Sequence, residues 1–437
     1  MLIEFSVGNF RSFKEVATFS MLAAKLRAKN KELDANNVFY LTDSLALLKS
    51  GAVYGANASG KSNLVQAIAF MRKFVLGSSK DTQVTEAINV EPFKLNTETE
   101  ESPTYFEIVF YHNNTRYRYG FTADREKIHT EWLYHVPSKI ETKLFIREDD
   151  EFDLSTVFKE GKGLESRTRN NALFLSVVAQ FNGKISQNIL LWFTRLGIVS
   201  GLNDREYRHI TIDMLKDKKT RQGIISLVKQ LDTGISDIII ETRDLPETDL
   251  YPDMRKKLQR LLPDGAQVKT VDVTATTIAT LHKKYDEENQ FVSNESFSIE
   301  AHESKGTQKI FYLSGPLLHT LQTGKILIID ELDARFHPLI TAAIIRLFNA
   351  KATNPHNAQL VFTTHDTNLL DNRYFRRDQI WFTEKDKYGA TDLYSLAEYR
   401  VRIRNDASFE KDYISGKYGA VPFIGNLESF LAGHPDG

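Results

Sequence analysis

The chain has 437 residues, of which 41% are hydrophobic and 26% charged, a composition that excludes a disordered or collagen-like protein. Its formal charge of -1 gives no overall attraction for nucleic acid or anionic lipid, and its length predicts two or three folding units. The chain contains no cysteine, which excludes disulfides, zinc–thiolate sites and thiol nucleophiles. We therefore expect a cytoplasmic protein without a membrane partner.

The first 60 residues contain two strand-like runs, "LIEFSVGNF" and "FKEVATFS", followed by the short apolar run "GAVYG". The first run alternates apolar and polar residues, so we expect no signal peptide. Apolar residues recur at helical spacing from Leu64 to Val75, which predicts a helix directly after the loop that follows "GAVYG".

The middle of the chain changes period twice. Between residues 105 and 146, four alternating runs separated by turn residues predict an antiparallel meander. Residues 165–232 are mostly helical in pattern, and the polar, proline-bearing stretch at 244–270 reads as surface or a mobile insertion.

Strand and helix patterns alternate again near the end of the chain, in "KILIID", a helix from Pro338, "AQLVFTTH" and "DQIWFTE". Two separated segments therefore build one parallel sheet, and the middle is inserted into it. We predict an N-terminal half of a split domain at 1–160, a mainly helical insertion at 161–290 and a C-terminal half at 291–437.

The stretch "GANASGKS" matches the phosphate-loop pattern G-x-x-x-x-G-K-[ST]. In this pattern the glycines let successive backbone N–H groups point inward, the lysine charges the outer phosphates, and the serine hydroxyl reaches Mg²⁺. The alternative is a glycine turn before a helix. The predicted nucleotide-binding residues of this loop are Gly55, Ala56, Asn57, Ala58, Ser59, Gly60, Lys61, Ser62 and Asn63.

Two further strand ends carry candidate catalytic groups. The strand "KILIID" ends in Asp330, predicted to hold Mg²⁺ with Ser62, and Glu331, predicted to polarise an attacking water. His365 ends the run "VFTTH", where it is positioned for the terminal phosphate or the water. The alternatives are a solvated acidic pair and a structural histidine.

This order of loop, acidic pair and histidine resembles that of the ABC-type ATPases, particularly the SMC/RecF-like and OLD-like branch. The chain therefore resembles an AAA-type ATP-binding protein. The resemblance implies an α/β fold: a split P-loop ATPase head with an antiparallel β subdomain and an inserted, mainly helical domain. It also implies ATP and Mg²⁺ as cofactors, and heads that pair about two ATP molecules in a homodimer or higher homo-oligomer.

In that class a serine–glycine signature at a helix start covers the nucleotide of the opposite subunit. The candidate here is "ESKGTQKIFYL", with Ser304, Lys305, Gly306 and Thr307, although Lys305 stands where glycine is common. The alternative is a plain serine N-cap.

Other segments fit the same resemblance. Arg11 in "NFRSFKE" would lie near the nucleotide, with a surface hairpin as the alternative, and Asp333 stands in the position of the dimer-contacting loop. The stretches "RTRNNALFLSVVAQFN" and "EKDYISGKYGAVPFIGN" resemble ATP-binding proteins of bacterial abortive-infection and phage-defence loci.

The resemblance therefore implies an ATPase that acts as a nucleotide-driven dimeric switch and controls a companion effector in anti-phage defence. The alternative is a DNA-repair-type RecF/SMC-like ATPase that binds DNA directly. DNA remains a possible partner under either reading, because a folded insertion can present a basic surface that the sequence does not show.

Overall fold

The computed structural model describes residues 1–244, 274–399 and 408–423, apart from Lys29, Thr82, Ser138 and Asp232. The stretch at 244–270 lies outside the described residues beyond Asp244. The chain forms two compact units, residues 1–206 with 319–437, and residues 207–318.

Among the described residues, the strands are β1 (Leu2–Gly8), β2 (Ala17–Ser20), β3 (Val38–Thr42), β4 (Leu45–Leu48), β5 (Ser50–Gly55), β6 (Thr104–His112), β7 (Thr115–Ala123), β8 (Ile128–Val136), β9 (Thr142–Glu148), β10 (Glu151–Leu154), β11 (Leu196–Ser200), β12 (Asp237–Asp244), β13 (Thr274–Tyr285), β14 (Phe291–Ser298), β15 (Ile326–Asp330), β16 (Gln359–Thr363), β17 (Ile380–Lys385) and β18 (Thr391–Ser395). The helices in the same part of the chain are α1 (Lys31–Asn37), α2 (Lys61–Gly77), α3 (Thr97–Glu100), α4 (Phe174–Gln180), α5 (Lys184–Phe193), α6 (Arg208–Lys216), α7 (Lys218–Gln230), α8 (Ile299–His302), α9 (Lys305–Thr323), α10 (Pro338–Asn349) and α11 (Phe409–Ile414).

The first unit contains a six-stranded sheet in the order β11-β15-β16-β5-β17-β18. All neighbouring strands are parallel except β17 and β18. Five of its strands come from the two separated segments predicted to build one parallel sheet, whereas β11 comes from the segment predicted to be the insertion. The phosphate-loop strand β5 is buried throughout and lies between β16 and β17.

Strand β11 was not predicted, because its residues were read as part of a helical region. Helix α5 ends at Phe193, and the chain then turns into a five-residue strand that pairs with β15. This edge strand is short and its burial does not alternate from residue to residue, so it lacks the period that marks a strand in sequence.

A second, seven-stranded sheet in the first unit has the order β10-β9-β8-β7-β6-β1-β2 and is antiparallel. It confirms the predicted meander. Helix α2 packs Phe70 against Phe106 and Phe74 against Phe121 of this sheet, with ring centroids 5.0 Å and 5.5 Å apart. The same helix contacts β5 and β15, so the helix that follows the phosphate loop is held by both sheets.

The second unit combines helices α6 and α7 with the antiparallel sheet β12-β13-β14. Within it, the Thr211 hydroxyl donates to the carbonyl of Tyr312 at 2.5 Å, tying α6 to α9. The compact units divide after residues 206 and 318, whereas the predicted segments divide after residues 160 and 290. Residues 161–206 belong to the first unit because α4 and α5 bury Phe174 and Trp192 in its core.

Among the residues that the structure describes, none of the helices is long and apolar enough to cross a membrane.

Candidate functional site

The phosphate loop connects the end of β5 at Gly55 to the start of α2 at Lys61. Gly60 has a φ of 114°, and a Cβ atom there would lie 2.4 Å from Thr391 Oγ1. A Cβ atom at Gly55 would lie 2.4 Å from the carbonyl oxygen of Thr383. Both glycines are therefore required by the close approach of β17 and β18 to the loop.

Two threonines of this hairpin hold the loop in place. Ser59 Oγ and Thr383 Oγ1 share a hydrogen bond of 2.6 Å, and Thr391 Oγ1 donates to the Ser59 carbonyl at 2.8 Å. Ser12 Oγ accepts from Asn63 Nδ2 at 2.7 Å and lies 2.8 Å from Thr391 Oγ1. Sequence reasoning missed this support, because nothing in the local sequence marks a strand threonine as a partner of a distant loop.

Lys61 folds back over its own loop in this structure. Its Nζ donates to the carbonyls of Gly55 at 2.8 Å and Ala56 at 2.9 Å. Burial lowers the pKa of Lys61 to about 8, although the carboxylates of Glu331, Asp330 and Asp333 oppose the shift. A phosphate that binds Lys61 would have to replace these two carbonyl acceptors, and its negative charge would raise the pKa of the lysine.

Asp330 connects the loop to the next two strands of the sheet. Its Oδ1 accepts from Thr363 Oγ1 at 2.6 Å and from Ser62 Oγ at 3.2 Å. A serine hydroxyl and a carboxylate at this separation are hard oxygen donors, which fit Mg²⁺. The predicted metal residues Ser62 and Asp330 are thus adjacent.

Glu331 has a left-handed backbone conformation, with a φ of 54°. Its N–H donates to Thr363 Oγ1 at 2.7 Å, and the preceding carbonyl, of Asp330, accepts from Gly201 N at 2.6 Å. A Cβ atom at Gly201 would lie 1.9 Å from the Glu331 carbonyl oxygen. The turn that aims Glu331 is therefore fixed by β16 and by a glycine just after β11.

His365 lies beyond the end of β16, and its backbone N–H donates to Asp333 Oδ2 at 3.2 Å. Burial, and then the charge of Lys61, lower the pKa of the imidazole, against the effect of the carboxylates of Asp333, Glu331 and Asp330. The ring is consequently neutral at pH 7, and one of its nitrogens is able to accept a hydrogen bond.

A cavity of about 460 Å³ brings these groups together. Its lining consists of the loop residues Asn57–Asn63 with Glu331, His365 and Lys385. The structure thus places the phosphate loop, Glu331 and His365 around one space, and Asp330 adjoins it through its contact with Ser62. Lys385, at the end of β17, was not predicted.

The other predicted residues are not part of the cavity lining. Arg11 forms an ion pair of 2.9 Å with Glu91 and is not part of the cavity lining. Ser304 precedes α9, in the second unit, and its hydroxyl accepts from Thr307 N at 3.1 Å. Lys305 Nζ donates to Gln308 Oε1 at 3.0 Å. The nucleotide contacts of Arg11 and of the signature, and the dimer contact of Asp333, stay predictions.

One family model matches residues 52–371, under the description "AAA domain, putative AbiEii toxin, Type IV TA system". The chain belongs to this AAA domain family. The matched span runs from β5 beyond His365, so it contains the loop, the acidic pair and the histidine. No curated protein matches this AAA-family chain.

Solved structures similar to this AAA-family chain include the SMC head domain from Thermotoga maritima, with 13% identity, a TM-score of 0.39, and 90% of this chain and 98% of that chain covered. An Smc head domain with an extended coiled coil, bound to the C-terminal domain of ScpA and derived from Pyrococcus furiosus, has 11% identity, a TM-score of 0.34, and coverages of 95% and 98%. The recombination mediator protein RecF has 13% identity, a TM-score of 0.34, and coverages of 90% and 98%. At these identities the likeness concerns the fold alone.

Proposed function

We propose that this chain binds ATP with Mg²⁺ and hydrolyses it to ADP and phosphate. The observation that carries the proposal is that phosphate-loop residues, Glu331 and His365 line one cavity. Membership of an AAA domain family supports ATP as the nucleotide.

Each group has a role that follows from its position. The loop N–H groups at the start of α2 bind phosphate oxygens, and Lys61 exchanges its two carbonyl acceptors for them. Ser62 and Asp330 would hold Mg²⁺, which neutralises phosphate charge when bound. Glu331 accepts the proton of the attacking water, and the neutral His365 orients that water or the terminal phosphate.

The proposal extends to a switch. Two heads would close head to tail on two ATP molecules, each signature covering the nucleotide of the other subunit, and closure or hydrolysis would control a companion effector. The family description, which names a toxin of a toxin–antitoxin system, supports a role in defence.

Removing the loop cation tests the nucleotide site. Lys61→Ala is expected to abolish ATP binding measured by calorimetry, because it removes the lysine that reaches the outer phosphates. Lys73→Ala, an exposed lysine on the same helix α2, is the matched control and should bind like the wild type. Equal ATP affinity in Lys61→Ala and the wild type would refute the assignment.

A second measurement distinguishes the two functions: ATP-dependent binding of the isolated protein to duplex DNA would favour the DNA-acting alternative over the switch.

A further inference from the structure

Strand β17 presents two different faces. Thr383 and Lys385 are two residues apart, so their side chains point to the same face, while Phe382 and Glu384 point to the other. Thr383 contacts the phosphate loop through Ser59. Glu384 instead contacts the Tyr394 hydroxyl, at 3.1 Å. The face that carries Lys385 is therefore the face directed at the loop.

The cross-strand neighbour of Lys385 also touches the loop. Lys385 pairs with Thr391 of β18, and Thr391 bonds the Ser59 carbonyl. Lys385 thus has a loop-contacting threonine beside it on each of the two strands. Its place in the cavity lining follows from this register and does not depend on a mobile loop.

The turn of the hairpin that carries Lys385 is closed by hydrogen bonds. Asp386 Oδ1 accepts from the N–H groups of Tyr388 and Ala390, both at 2.8 Å, and closes the turn after Lys385. Gly389, with a φ of 83°, supplies the left-handed residue of this turn. The lysine is therefore presented from a rigid element, which lowers the entropic cost of using it for binding.

The ammonium of Lys385 is available to bind a ligand. Across the described residues, its ammonium forms neither an ion pair nor a hydrogen bond with a side chain, whereas Lys61 donates to two loop carbonyls. Lys61 and Lys385 are the two lysines among the described residues that line the cavity, and the ammonium of Lys61 is already bonded within its own loop.

We propose that Lys385 is a second phosphate-binding cation, which contacts the polyphosphate of the nucleotide held by the loop. The inference rests on the proposed nucleotide site and adds a residue from the far end of the chain to it. The lysine would act as a point charge from the β17–β18 hairpin, opposite the cation of the loop.

The test compares nucleotide affinities of the full chain by calorimetry at low and high salt. Lys385→Ala is expected to weaken ATP binding about fivefold to tenfold at low salt, because a charge-assisted contact at a partly open site is lost. Lys385→Glu should weaken it further, and Lys385→Arg should restore most of it. The difference between Lys385→Ala and the wild type should shrink at high salt, because ions screen an exposed charge.

The matched control is Lys387→Ala, an exposed lysine on the same hairpin that does not line the cavity and lies over the Tyr388 ring instead. It should bind ATP like the wild type. If the wild type binds ATP and Lys385→Ala binds equally well, Lys385 is a solvated residue and this inference alone is overturned. If the wild type does not bind ATP, the nucleotide site and this inference are both overturned. Thermal unfolding of each variant separates a binding effect from a folding effect.

Discussion

Gly201 helps to fix the position of Glu331, the proposed catalytic carboxylate, although no motif contains this glycine. Its N–H donates to the Asp330 carbonyl at 2.6 Å, and its missing side chain leaves room for the Glu331 carbonyl. Glu331 in turn has a left-handed conformation that is unfavourable for a glutamate. The aim of Glu331 is thus stabilised by its surroundings and not by its own backbone preference.

Glu331→Gln should keep ATP binding and stop turnover, because the amide preserves the shape and loses the basic oxygen.

Gly201→Ala should likewise keep ATP binding and reduce turnover, since its Cβ would displace the Glu331 backbone and leave the loop intact. Overpacking of this kind costs about 1–3 kcal/mol, so the fold should survive. Steady-state phosphate release and ATP affinity are the two measurements.

The control for the glycine is Gly197→Ala on the same strand β11, where a Cβ atom would lie no closer than 3.3 Å to Leu327. It should leave turnover close to the wild-type rate. Wild-type hydrolysis in Glu331→Gln would mean that another residue activates the water, and His365 would be tested next. Wild-type hydrolysis in Gly201→Ala would mean that the turn tolerates displacement.

At this scale, the sequence marks candidate residues that belong to motifs or follow strands, and does not mark those that depend on strand pairing. Glu331 and His365 stand out as candidates because each follows an apolar strand. Thr391 contacts the phosphate loop and Lys385 lines the same cavity only because β17 pairs with β5, more than 300 residues earlier in the chain. Nothing local in the sequence encodes such a register.

Among the elements, the β17–β18 hairpin connects the phosphate loop to the C-terminal segment. On the side that faces the loop, Thr383 shares a hydrogen bond with Ser59. On its other side, Phe382 stacks on Tyr413 of α11, with ring centroids 5.3 Å apart, and Tyr394 donates to the Tyr418 carbonyl at 2.7 Å. The segment that resembles the tail of phage-defence ATPases is therefore docked, within the described residues, on the hairpin that supports the loop.

Tyr413→Ala should destabilise the first unit by about 3 kcal/mol, because it removes a buried ring packed on Phe382 and Tyr54. Denaturant unfolding measures the change. Ile414→Ala is the matched control on the same helix: Ile414 is 62% exposed, compared with 7% for Tyr413, and its loss should change stability little. Equal stabilities in the two variants would show that the tail does not contribute to this core.

Secondary-structure elements differ in how clearly the hydrophobic pattern of the sequence predicts them. The meander β6–β9 was predicted because one face is buried and the other is partly exposed, which produces alternation. Strands β12 and β13 lie in a segment predicted to be mainly helical, and β14, which directly follows that segment, is exposed along most of its length. A strand exposed on both faces carries no period of its own.

At the scale of the whole molecule, the predicted site residues belong to two different compact units. The phosphate loop, Glu331 and His365 belong to the first unit, and Ser304 and Lys305 belong to the second. In the proposed dimer the signature covers the nucleotide of the other subunit, so it contributes only after association. A monomer should therefore bind ATP without it.

This separation gives a prediction for assembly. Ser304 and Lys305 are exposed at the start of α9, where free N–H groups favour an anion. Lys305→Ala should spare ATP affinity and weaken ATP-driven association about tenfold to a hundredfold, the range expected for loss of a charged contact to phosphate. Ser304→Arg should abolish association, because its bulk blocks approach. Light scattering with and without ATP, beside calorimetry, separates the two effects.

The outcomes distinguish three arrangements. Normal association of both variants would make Ser304 a helix cap only, consistent with the hydrogen bond that it accepts from Thr307 N, and the head-to-tail dimer would lose its main support. Loss of association in Ser304→Arg alone would keep the dimer and leave Lys305 bonded to Gln308 as a solvated side chain. Loss in both variants would place the lysine on the phosphate of the opposite subunit, where a small residue is usual, and would make it a distinctive part of this chain's closure.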